Sequence, residues 1–135
     1  MSTVKAANLQ NTGSGAPAFQ NSSGTEIGQL CKAWVNFNGT GTVAIRDSFN
    51  VASITDNGTG DYTMNLTNVM ANANYAVTGT VGITGSTGAS DLFVGGGRQS
   101  NYSDIRTTGA ARIASCNAAG AAEDGAIVSL VVFGD

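Results

Sequence analysis

Asp56-Asn57-Gly58-Thr59-Gly60-Asp61-Tyr62-Thr63-Met64-Asn65-Leu66 is the stretch on which the fold of this chain turns. Asn-Gly accepts the positive φ that a tight hairpin demands, and turn-forming residues crowd the positions before Asp61. Upstream lies Phe49-Asn50-Val51-Ala52-Ser53-Ile54. Downstream, Tyr62, Met64 and Leu66 alternate with Thr63, Asn65 and Thr67. A period of two puts successive side chains on opposite faces of a half-buried strand. A β-hairpin is predicted here.

The same period recurs outward from it. Ala33, Val35 and Phe37 oppose Lys32, Trp34 and Asn36, and Tyr75, Val77, Gly79 and Val81 oppose Ala76, Thr78 and Thr80. Further strands are expected over 92–94, 105–107, 111–116 and 126–133. Helical periodicity is nearly absent; a single turn over 118–123 is conceivable, and Gly120 weakens it. About eight short strands imply an all-β fold, an antiparallel β-sandwich of jelly-roll or lectin-like type. The sandwich is expected over residues 29–135. Residues 1–28 are turn-rich, with few apolar anchors (Leu9, Phe19, Ile27), and read as an extended N-terminal arm or linker.

Composition excludes whole classes of function. A length of 135 residues corresponds to one domain, large enough for folding to remove roughly two-thirds of the unfolded surface from water. With 41% hydrophobic residues and a net charge of -3, the chain is folded rather than disordered. It has no histidine, which removes the commonest general base and metal ligand together with every Ser-His or Cys-His pair. Lys5, Lys32, Arg46, Arg98, Arg106 and Arg112 are scattered singly, and the pI is near 4.6. Nucleic acid is not an expected partner. No apolar run reaches the length of a membrane span, and Met1 to Lys5 lack a signal peptide's apolar segment, so neither membrane insertion nor classical export is expected. Without export, Cys31 and Cys116 are expected as reduced, buried thiols. The Asn-x-Ser/Thr sequons at Asn21, Asn38, Asn57, Asn65 and Asn101 are expected by chance in such a composition.

The local motifs are weak as chemistry. Gly95-Gly96-Gly97-Arg98 lacks the closing Gly-Lys-Ser/Thr of a phosphate loop. Asp56 and Asp61 flank a turn, where Asp is common, and the other acids of a calcium loop are missing. No catalytic residue, metal site or cofactor is expected. Binding is a different matter. The loop-like stretch 95–104 gathers Arg98, Gln99, Asn101, Tyr102 and Asp104. A guanidinium, two amides and a carboxylate suit sugar hydroxyls, and the ring suits a pyranose face. The alternative is a solvated loop whose polar residues cap strands. Trp34, opposite the inward Ala33, Val35 and Phe37, faces outward, where packing against another chain or a loop is favoured over sugar binding. Ile127 to Phe133 is apolar on both faces, so it is expected to be buried twice, in the core and against a neighbour.

Cys31-Lys32-Ala33-Trp34-Val35-Asn36-Phe37-Asn38-Gly39-Thr40 is followed by Ile45-Arg46-Asp47-Ser48-Phe49-Asn50-Val51, then by residues 53–63 and Asn72-Ala73-Asn74-Tyr75-Ala76-Val77. This succession resembles a module recurring in tail-fibre and other virion proteins of tailed bacteriophages, particularly marine and cyanobacterial ones. Residues 19–28 are similar to what precedes that module, and Val131-Val132-Phe133-Gly134-Asp135 resembles its ending. The resemblance is specific to about Val77 and weak between Gly79 and Gly125. It implies a β-sandwich, trimeric and lectin-like, without catalytic residues and assembled into a virion in the host cytoplasm. Two roles follow from it. One is a fibre or receptor-binding component that attaches the particle to a host surface glycan. The other is a capsid decoration or cement protein whose arm docks on other virion proteins. A glycan-cleaving enzyme is a distant third.

Overall fold

The computed structural model describes residues 19–82, 91–94 and 106–134. The chain divides into two compact units, Met1–Leu30 and Cys31–Asp135. In the first, β1 (Phe19–Gln20) and β2 (Glu26–Gly28) form a small antiparallel hairpin. The Asn21 carboxamide oxygen accepts the amides of Ser23 and Thr25 at 3.0 and 2.9 Å, and Gly24 takes φ 78°. The side chain thus imitates a backbone turn. Turn-rich composition, read as an extended arm, conceals this hairpin. Its strand residues are all exposed.

The second unit holds β3 (Ala33–Asn38), β4 (Ala44–Phe49), β5 (Val51–Gly58), β6 (Asp61–Leu66), β7 (Ala76–Gly82), β8 (Asp91–Val94), β9 (Arg106–Thr107), β10 (Ala110–Cys116) and β11 (Ile127–Phe133). They build two antiparallel sheets, in orders β4-β3-β11-β7 and β5-β6-β10-β8, with β9 added to β10. The fold is an antiparallel β-sandwich. Inward residues of alternating strands fill the space between the sheets: Ala33, Val35 and Phe37; Tyr62, Met64 and Leu66; Ala111 and Ile113; Val128, Leu130 and Val132. Each fully buried large side chain of this kind contributes about 1.5–3 kcal/mol. Phe37 and Tyr62 join the two sheets edge to face, centroids 5.2 Å apart at 75°. That geometry adds about 0.5–1.5 kcal/mol beyond burial.

Two details differ from the sequence reading. Residues 118–123 form no helix: Gly120 adopts φ 78° and donates to the Asn117 carbonyl, while Cys116 bridges to Ala122. The central hairpin forms, but β5 runs on to Gly58 with a register shift after Asp56, and the turn falls at Thr59–Gly60. Gly60 is what the turn requires. Its φ is 65°, and a Cβ there would overlap the Ser115 carbonyl. As expected, β11 lies in the core, with Val128, Leu130 and Val132 buried. Within its sheet β3 pairs with one of its edges and β7 with the other.

Candidate functional site

The two outer faces of the sandwich differ in chemistry. On the β5-β6-β10-β8 sheet, the outward residues of β5 and β6, with Arg112 of β10, are polar and bond to one another. Asn65 Nδ2 donates to Ser53 Oγ at 3.1 Å and Thr55 Oγ1 at 2.9 Å, and Asn57 Nδ2 donates to Thr63 Oγ1 at 2.9 Å. The Arg112 guanidinium forks onto both oxygens of Asp61, its Nε at 2.7 Å from Oδ1. Asp56 Oδ1 accepts the Gly58 amide at 2.9 Å. Both turn acids therefore have structural work, as turn chemistry implies. The β5-β6 part of that face gains little from a dry partner, because every bond broken to desolvate it must be replaced.

The β4-β3-β11-β7 sheet is the opposite case. Register sets Phe49, Trp34, Val131 and Thr78 side by side across its four strands. Directly opposed side chains lie roughly 4.5–5.5 Å apart at Cβ, so the first three make a continuous apolar row. Trp34 is half-buried in the row and outward-facing, as expected, and Phe49 is 55% exposed. Phe133 and Ile127, at the two ends of β11, are 41% and 53% exposed. The next row is polar: Asp47, Asn36, Ser129 and Thr80. Asn36 Nδ2 donates to Ser129 Oγ at 2.8 Å, and Arg46 Nη2 donates to the Ala126 carbonyl at 2.6 Å. Arg46, at the register shift of β4, lies across this row, which rims the apolar one.

Both faces are held from the ends. At one end, the Tyr62 hydroxyl lies 2.8 Å from Asp124 Oδ1 and 3.2 Å from the Gly39 carbonyl, while Gly60 N donates to the same Asp124 oxygen at 2.7 Å. A Cβ on Gly39 would overlap the Tyr62 hydroxyl, and one on Gly125 would overlap Val81. Burial raises the Tyr62 pKa above its ordinary value, and the hydrogen bond to Asp124 and the charge of Asp124 raise it further. At the other end, the Tyr75 hydroxyl lies 2.7 Å from the Ala110 carbonyl and Arg106 Nη1 donates to the Tyr75 carbonyl at 2.9 Å. Asn50 takes φ 57°, and its carboxamide bonds the Lys32 carbonyl and the Asn68 amide. Sequence reading missed this clasp. Asn50, between two strands, was its one available signal.

Arg98, Gln99, Asn101, Tyr102 and Asp104, the sugar-binding candidates, lie outside the described residues, as does Gly95-Gly96-Gly97. Both cysteines are free thiols. Cys116 is buried as expected, but Cys31 precedes β3 and is only half-buried. They stand at opposite ends of different sheets, too far apart for a disulfide without backbone movement. Among the described residues no three His, Cys, Asp or Glu side chains gather as a metal site would need. Compared with known family models, curated proteins and solved structures, the chain matches none.

Proposed function

We propose that this chain is a virion protein of a tailed bacteriophage, a fibre or receptor-binding component that assembles as a homotrimer and attaches the particle to a host surface glycan. The observation that supports the assembly half of this reading is the outward apolar row Phe49–Trp34–Val131, with Phe49 exposed, whereas the outward residues of β5 and β6 on the other sheet are polar and bonded to one another. Closed symmetry among copies is the commonest way to cover such a row. The virion half rests on the residues from Phe19 to Val77 that resemble the phage module. Attachment is assigned to the stretch 95–104, because loops on a rigid sandwich are where specificity is commonly carried.

The second reading is a capsid decoration or cement protein, and the hairpin Phe19–Gly28 favours it. Exposed throughout its strands, it presents Phe19 and Ile27 for docking on another virion protein. One experiment separates the two. The purified protein is offered to host cells and to their surface polysaccharide, and labelled antibody locates it on the particle. Binding to cells with label at the tail supports attachment. Label spread over the head, with no binding to cells, transfers the chain to the decoration role.

A further inference from the structure

Two Asn-Gly steps occur, Asn38-Gly39 and Asn57-Gly58. In such a step the glycine nitrogen can close on the asparagine Cγ, because no glycine Cβ hinders the approach. We propose that the folded chain deamidates selectively at Asn57, with the Asp56 carboxylate as the base that draws the proton from Gly58. The fold treats the two steps oppositely.

Asn38-Gly39 is wedged. The Gly39 amide donates to the Gly125 carbonyl at 2.8 Å, and a Cβ on Gly39 would overlap the Tyr62 hydroxyl. The Asn38 carboxamide is held from both ends, Nδ2 donating to the Thr40 carbonyl at 2.7 Å and Oδ1 accepting from Thr40 Oγ1 at 2.8 Å. Ring closure there would require the backbone to leave Gly125 and swing against Tyr62.

Asn57-Gly58 is open. Both residues are exposed, nothing lies within 4 Å of where a Gly58 Cβ would stand, and the ladder register shifts at this point. The nucleophilic nitrogen already donates its proton to Asp56 Oδ1 at 2.9 Å, within the reach required of a general base. The departing amide group is bonded too, Nδ2 lying 2.9 Å from Thr63 Oγ1 and 3.4 Å from Asp61 Oδ1. As the Gly58 nitrogen bonds to Cγ, its proton passes to Asp56. The Cγ–Nδ2 bond then breaks, the proton returns to the leaving nitrogen and ammonia departs, giving a cyclic imide. Water opens that ring at Cγ to leave aspartate, or at the backbone carbonyl carbon to leave an isoaspartyl link. Either product sets a new carboxylate between Asp56 and Asp61 and removes the donor to Thr63, loosening the hairpin end.

The test ages the purified, folded chain in neutral buffer and follows both peptides by mass spectrometry with isoaspartate detection. The amide-to-acid mass gain is expected in the Asn57 peptide while Asn38 stays intact; in denaturant the two steps should react alike. Asp56→Ser keeps a hydroxyl acceptor in the turn but removes the base, and should slow the native reaction by about a hundredfold or more while leaving the denatured rate unchanged. Equal native rates at Asn38 and Asn57 would overturn the selectivity, with no variant needed. A native rate unchanged in Asp56→Ser would overturn the role of Asp56.

Discussion

Tyr62 shows how much one side chain joins. Its ring meets Phe37 across the core, and its hydroxyl lies between the Gly39 carbonyl and Asp124, which in turn holds the Gly60 turn. Tyr62→Phe keeps the ring and leaves these buried acceptors short of a donor. The expected cost is about 1–3 kcal/mol, read from denaturant unfolding at neutral pH. The pH dependence has a definite sign. Because the folded state raises the Tyr62 pKa, the stability this group contributes is whole below the ordinary value of 10.0 and is lost as pH rises above it. The wild-type chain should therefore lose stability on alkaline titration more steeply than Tyr62→Phe. Equal slopes would show that Tyr62 is not the linked group. The thiols make a second residue-scale prediction. Cys31, half-buried, should react with a thiol reagent in the native protein, and Cys116, buried, only after unfolding. Both should titrate without prior reduction, and a mass lower by two hydrogens would reveal a bridge instead.

At the scale of elements, β3 and β11 share one pattern with different consequences for their two faces. Their inward residues close the core, whereas Trp34, Val131 and Phe133 face outward beside Phe49. The edges of β11 are paired, so in the proposed assembly the contact would be a face rather than a strand edge, held by side chains rather than backbone bonds. Phe49→Ser is the discriminating change. Because Phe49 is more than half exposed, the substitution should alter the stability of a single copy by less than about 1 kcal/mol. Light scattering should nevertheless show a trimer dissociating toward the 13.5 kDa monomer. A wild-type chain that is monomeric at micromolar concentration would defeat the proposed assembly outright.

For the whole molecule, the proposed trimer would act through effective concentration. If the proposed site at 95–104 binds a sugar, one copy would bind weakly, and linked copies would gain avidity without new contacts. Arg98→Ala with Tyr102→Ala should leave folding and trimerisation intact and reduce adsorption to host cells. The reduction should be larger than the loss measured for one site binding free oligosaccharide. Unchanged adsorption would remove this surface and favour the decoration role. Phe19→Ser with Ile27→Ser bears on that alternative. In a decoration protein it should abolish incorporation into particles while the sandwich remains folded, since the hairpin belongs to a separate unit.

Much of the β-sandwich was determined by the chain's own sequence. Period-two alternation at Ala33 to Phe37, Tyr62 to Leu66 and Val77 to Val81 needs no tertiary partner to be seen, since strand geometry alone assigns the faces. The outward position of Trp34 followed from the same parity. Other features were legible only in three dimensions, because they join residues remote in sequence. The pairing of β11 with both β3 and β7, which makes it an interior strand, is one. The hairpin turn settled on Thr59–Gly60 instead of Asn57-Gly58, because Gly60 must pass close to the Ser115 carbonyl and donate to Asp124. The apolar row is likewise a matter of register: Phe49, Trp34 and Val131 are unremarkable singly and adjoin only when three strands align. Local sequence sets which face a side chain takes, and long-range pairing decides what stands beside it.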